Sequence, residues 1–119
     1  MKIAITSQGT DLDAQVDPRF GRASYLIIVD SDTNDFKVID NSTNVNAMKG
    51  AGIQAASNVV DSGAEVLLTG SCGPNAFKAL QAGKVAVANG ASGTIKDAVK
   101  AYLDGKLSHA NGADVEGHW

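Results

Sequence analysis

Both arginines of the chain lie within four positions, in Asp17-Pro18-Arg19-Phe20-Gly21-Arg22, while lysine carries the positive charge everywhere else. A guanidinium is planar, permanently charged and weakly hydrated, and its donor fork suits a polyatomic anion held at a partly dry surface. The plainer reading is that Arg19 pairs with Asp17 or Asp13 to stiffen a loop, with Phe20 in the core. A second stretch, Gly70-Ser71-Cys72-Gly73-Pro74-Asn75-Ala76, follows the apolar run Val66-Leu67-Leu68 and precedes a segment of helical character. It reads as a strand feeding a helix through a tight turn. Pro74 presets φ for the first helical turn, where backbone N–H groups have no intrahelical acceptor, so the turn is a natural anion cradle.

Cys72 is the chain's only cysteine and therefore forms no internal disulfide. Its thiol could give a soft contact to a metal or a sulfide cluster, or be a thiolate activated by the helix N-terminus. It could equally be a small, partly buried hydrophobe. No second cysteine and no sequence-near histidine supports independent thiol chemistry. The pattern Gly70-x-x-Gly73-x-x-Ala76 lacks the Gly-x-Gly start and the later acidic residue of a dinucleotide fingerprint. His109 and His118, with Asp114 and Glu116, are too widely spaced for an organised metal site. Asp30 and Asp40 close adjacent strands at opposite sheet edges, which excludes a paired-carboxylate site between them.

These stretches need a scaffold, and 119 residues with 44% apolar and 19% charged composition provide one α/β domain with one core. A net charge of −3 argues against a protein that neutralises nucleic-acid backbone. No apolar run approaches the roughly 18 residues of a membrane span, and Met1 to Ile5 has no signal-peptide layout, so a cytoplasmic location is expected. Strands are expected at Ile3–Ile5, Tyr25–Val29, Phe36–Ile39, Val66–Leu68 and Val85–Val87. Helices are expected from Gly50 to Ser62 (inward face Ile53, Ala56, Val59 and Val60), over Ala76–Ala82, and from a Thr94 cap with inward Ile95, Ala98, Val99 and Tyr102. The order is β-β-β-α-β-α-β-α, an antiparallel start and a parallel finish in one mixed sheet. If strand four lies parallel beside strand one, residues 6–24, 41–50, 70–75 and 88–94 meet at one sheet edge, where open α/β sheets bind ligands. Residues 1–107 form the domain, and 108–119, without periodicity, are expected to be a flexible tail.

The chain resembles the dinitrogenase iron-molybdenum cofactor biosynthesis family. The resemblance is carried by Met1-Lys2-Ile3-Ala4-Ile5, Val16 to Ala23, the Gly70 to Ala76 turn, Gly93 to Ala98 and Tyr102 to Leu107, and spans roughly residues 1–107. It implies a ribonuclease H-like three-layer fold without ribonuclease chemistry, and a non-enzymatic role in binding or carrying a molybdenum-containing sulfide cluster. The Ser7-Gln8-Gly9 and Leu12-Asp13-Ala14 segments resemble family members for which the implied ligand is a mixed molybdenum-copper sulfide cluster, held without a covalent bond; a related iron-molybdenum cluster is the other candidate. Cluster-assembly or acceptor proteins are the implied partners. On this reading Asp17, Arg19, Phe20 and Arg22 form one wall of the cradle. Ser71, Cys72, Gly73, Pro74 and Asn75 form the opposing wall, with Cys72 as a soft metal contact. Where the family often has a histidine in its middle loop, this chain has Asn44, Asn46 and Met48. Two other classes compete: a small enzyme or phosphate- or nucleotide-binding module using the Cys72 turn, and a protein-interaction module.

Overall fold

In the computed structural model, which describes residues 1–41, 51–107 and 109, five strands form one mixed sheet. They are β1 (Lys2–Ser7), β2 (Tyr25–Asp30), β3 (Phe36–Asp40), β4 (Val66–Leu68) and β5 (Ala86–Ala88), in the spatial order β3-β2-β1-β4-β5. β2 is antiparallel to both β1 and β3, whereas β4 and β5 run parallel to β1. Three helices connect and cover them: α1 (Ala51–Asp61), α2 (Pro74–Ala82) and α3 (Ile95–Leu103). The order and topology agree with the sequence expectation. β1 runs two residues further than expected, through Thr6 and Ser7, and β5 begins one residue later, at Ala86.

The near-continuous apolar character of β1, β2 and β4 has a direct cause. Successive side chains of a strand point to opposite faces, and here both faces are covered. Ala4, Leu26, Ile28, Leu67 and Val87 meet Ala55, Ala56 and Val59 of α1 and Phe77 and Leu80 of α2. On the other face Ile3, Ile5, Ile27, Val29, Val66 and Leu68 meet Ile95 and Ala98 of α3. The result is three layers, helix on sheet on helix.

α3 starts where Thr94 caps it, the Thr94 hydroxyl accepting the Asp97 N–H at 3.1 Å. α1 departs from expectation in its inward face, which is set by Ala55, Ala56 and Val59, with Ile53 46% exposed and Val60 half-buried. The helix packs mainly on α2 and on residues 20–22, with its alanines in the core and Ile53 turned outward. Among the described residues no helix is long and apolar enough to cross a membrane. In the tail, His109 bridges Ala88 at the end of β5 and stacks on Tyr102, with Tyr102 Oη 2.7 Å from His109 Nε2. Asn44, Asn46, Met48, Asp114, Glu116 and His118 lie outside the described residues.

Candidate functional site

The strand directions bring the end of β1, the start of β2 and the ends of β3, β4 and β5 to one edge. The loops at this edge are joined mainly through backbone. Arg19 is extended (φ −119°, ψ 114°) before a 3-10 turn, Phe20–Arg22, and forms a parallel bridge with Ser71. The Ser71 N–H donates to the Pro18 carbonyl at 2.9 Å and the Phe20 N–H to the Ser71 carbonyl at 3.3 Å. The Ser71 hydroxyl donates to the Pro18 carbonyl as well, at 3.2 Å. A Cβ on Gly70 would stand 2.6 Å from the Pro18 Cα and carbonyl oxygen, so only glycine allows this approach. The 17–22 and 70–75 stretches are thus neighbours in one wall, a correction to the opposed walls expected from sequence.

Further hydrogen bonds fix the loops of this edge. The Asp17 N–H donates to the Thr6 carbonyl at 2.9 Å, and the Thr6 hydroxyl donates to the Asp17 carbonyl at 2.6 Å. Thr6 Oγ1 also meets Thr69 Oγ1 at 3.0 Å, linking the ends of β1 and β4. Beyond β5, the Gly90 N–H donates to the Gly70 carbonyl and the Ala91 N–H to the Thr69 carbonyl, both at 3.0 Å. Asn41, fully buried at the end of β3, donates from Nδ2 to the Ala23 carbonyl at 2.8 Å.

The side chains sort by what they face. Arg19 is exposed and takes part in no ion pair among the described residues. Arg22 is half-buried and Asn75 exposed. Asp17 is 7% exposed and accepts the Arg19 N–H on Oδ1 at 3.0 Å. It folds the loop through backbone rather than pairing with a guanidinium. Phe20 is fully buried, as the plainer reading held, and α1 packs against its turn.

Cys72 corrects the soft-contact expectation. Its side chain is fully buried and belongs to the core cluster that α1 and α2 cover, with Sγ 3.6 Å from the Gly73 carbonyl oxygen. A thiol enclosed this way presents no sulfur to a ligand at the loop surface and no accessible nucleophile. What the turn does present is the start of α2. Gly73 is its N-cap without a side-chain cap bond, and Pro74 occupies its first turn. The N–H groups of Asn75 and Ala76 therefore lie at the positive end of the helix with no intrahelical acceptor.

Sequence reasoning missed Asn89. It follows β5 at the same edge, and its Oδ1 is buried without a hydrogen-bond partner. A polar residue after a strand reads as ordinary turn chemistry, so sequence carried no signal for it.

The donors here are a guanidinium, a helix N-terminus and amide groups. Among the described residues no group of three or more His, Cys, Asp or Glu is placed to hold a metal ion. Such a set fits a large anion whose outer atoms meet N–H groups, with any metal enclosed inside the anion. It supplies no ligand cage for a bare cation.

Fold and site together define a small three-layer α/β protein with an anion-suited cradle at one sheet edge, and the family that matches is the dinitrogenase iron-molybdenum cofactor family, over residues 1–105. The chain belongs to that family. It is similar to the apo form of the orange protein from Desulfovibrio gigas, with 43% identity, 96% of each chain covered and a TM-score of 0.93. It is also similar to a putative NifB protein from Thermotoga, with 34% identity, 91% of each chain covered and a TM-score of 0.79. An uncharacterized protein of Methanocaldococcus jannaschii is 28% identical over 110 residues, which cover 90% of this chain and 89% of the relative.

Proposed function

We propose that this protein binds and carries a molybdenum-containing sulfide cluster, of molybdenum-copper type or a related iron-molybdenum type, as a non-covalently held anion and without catalysing a reaction. The observation that carries this reading is the Arg19–Ser71 bridge, which sets the backbone of Arg19, a residue with an exposed side chain, beside the turn that opens α2. Membership in the iron-molybdenum cofactor family and the likeness to the orange protein support the choice of ligand. A thiometallate is large, soft and multiply charged. Arg19 and Arg22 balance its charge, the N–H groups of the first turn of α2 meet its outer sulfides, and Pro18, Pro74 and Asn75 border it. Cys72 contributes by filling the core beneath the turn. Cluster-assembly and acceptor proteins are the proposed partners, and the cytoplasm the proposed location.

Reconstitution with tetrathiomolybdate and copper tests the reading. The wild-type protein is expected to keep intense visible absorption, with molybdenum and copper by elemental analysis, through desalting. Arg19→Ala/Arg22→Ala is expected to lose most of it while remaining folded by circular dichroism. A wild-type protein that desalts colourless, or a double variant that retains metal fully, overturns the reading. Cys72→Ala is expected to retain cluster, because the thiol faces the core.

A further inference from the structure

We propose that the outer edge of β3 is a self-association surface, on which a second copy of this chain pairs antiparallel about Phe36 so that Asp35 of each copy faces the partner's Lys37. Phe36 opens β3 at the end of the sheet away from the cradle, and the pairing is independent of what the cradle binds.

The two outer strands of the sheet are finished differently. β5 is three residues long and carries an antiparallel bridge from Ala88 to His109. β3 is five residues long and pairs only with β2 among the described residues. The Asp30 N–H donates to the Asp35 carbonyl at 2.8 Å, and the Asn41 N–H donates to the Ser24 carbonyl at 2.9 Å. Hydrogen-bonded and non-hydrogen-bonded pairs alternate along an antiparallel ladder, so these two bonds bracket hydrogen-bonded pairs at Ile28–Lys37 and Leu26–Ile39. The N–H and C=O groups of Phe36 and Val38 therefore point away from β2, and no hydrogen bond among the described residues takes them up. Such an edge is a template for another strand.

The side chains select the occupant. Asp35 and Lys37 are exposed, stand two apart on the face that carries α1, and make no ion pair among the described residues. Phe36, on the other face, is 43% exposed. The outward backbone groups fall on even-numbered positions, so a two-fold axis between two copies of β3 passes through a single residue. An axis on Lys37 sets two ammonium groups against each other. An axis on Val38 or Ile39 leaves Lys37 opposite the partner's Ile39 or the partner's Asn41. An axis on Phe36 sets Asp35 against the partner's Lys37 twice. It also joins the two Phe36 backbones by a pair of hydrogen bonds and lays the two exposed rings side by side. Charge and exposed aromatic area thus favour the Phe36 register. The overlap is short, so the association belongs to the weak class that buries under about 1,200 Å². Because the paired strands are antiparallel, the two cradles face opposite ends of the joined sheet and both stay open.

Sedimentation velocity of the full chain over roughly 10 µM to 1 mM reads the association. The wild type is expected to move from monomer toward dimer across this range. Asp35→Lys and Lys37→Asp each set like charges opposite one another, and each is expected to weaken the dimer at least tenfold. An equimolar mixture of the two variants restores both ion pairs, one copy carrying two lysines and the other two carboxylates. The mixture is expected to dimerise at least as well as the wild type. A wild type that stays monomeric overturns the inference, as do single variants that dimerise like wild type or a mixture that stays monomeric. Should either single variant fail to fold, the exchange Asp35→Lys/Lys37→Asp within one chain is expected to dimerise like the wild type. A monomeric exchange variant then overturns it.

Discussion

The two ends of the sheet hold together by different means. At the carboxyl ends of β1, β4 and β5, loops far apart in sequence are joined by backbone hydrogen bonds among Pro18, Phe20, Thr69, Gly70, Ser71, Ala88, Gly90 and Ala91. At the other end a groove of about 540 Å³ opens, bordered by Lys2, Ile28, Asp30, Phe36, Lys37 and Asp61. There the N-terminal ammonium pairs with Asp32 at 3.1 Å, and the hairpin closes locally through Asp30 and Asp35. Its lining mixes Lys2 and Lys37 with Asp30, Asp35 and Asp61, so it presents both signs of charge. The cradle is tied through main chain, which leaves Arg19 and Asn75 exposed and unspent. Concavity marks one end of the molecule and exposed N–H donors the other, and the proposed function rests on the donors.

Two phenylalanines give the sharpest way to break that comparison. Phe20 at the cradle end is fully buried, whereas Phe36 at the groove end is 43% exposed. Phe20→Ala is expected to cost about 3–5 kcal/mol in urea unfolding, and Phe36→Ala under about 1 kcal/mol. Equal costs would mean that the two ends are built alike. Next in size is Gly70→Ala, whose new methyl meets Pro18 backbone. Separating the loops is expected to cost about 1–3 kcal/mol and to weaken tetrathiomolybdate binding in the same protein. A variant of full stability and full binding would show that the Gly70–Pro18 contact positions nothing.

Thr94→Ala removes the α3 cap, at about 1 kcal/mol by thermal unfolding, and is expected to leave anion binding intact. The smallest effect belongs to the groove end. Its hydrogen bond to Asp32 raises the pKa of the Met1 amine above the ordinary 8.0. A raised amine stabilises the fold fully below its ordinary value and loses that contribution as pH climbs through the raised one. Thermal midpoints at pH 7 and about pH 9.5 should thus fall slightly more for wild type than for Asp32→Ala. Identical profiles would remove this pair from the account of that end.

Much of the scaffold was legible because its signals are local or periodic. The apolar runs at Tyr25–Val29 and Val66–Leu68 announced strands covered on both faces, and Thr94 with Asp97 announced the α3 start. The site was legible as a set of loops and less so as side-chain directions. Sequence put Cys72 in the turn but could not show that the chain turns its side chain into the core. Asp17 beside Arg19 suggested an ion pair. The fold spends that carboxylate on a backbone N–H, because Asp17 is drawn down onto Thr6. Ile53 fitted an inward face until the alanines of α1 set a different rotation. The Asn89 orphan depends on β4 and β5 meeting, a contact no short window of sequence encodes.

The closeness of Gly70 to Pro18 has a consequence in time. Residues 17–22 are made early, but the surface that holds them in place consists of Thr69 to Ser71, braced in turn by Gly90 and Ala91. A growing chain that has reached β3 carries both arginines and yet has no cradle. Only when the third parallel strand docks does the binding surface exist, since such non-local pairings form late in folding. On the proposed function, cargo loading is thereby reserved for finished molecules, and cluster retention would report complete assembly of the sheet.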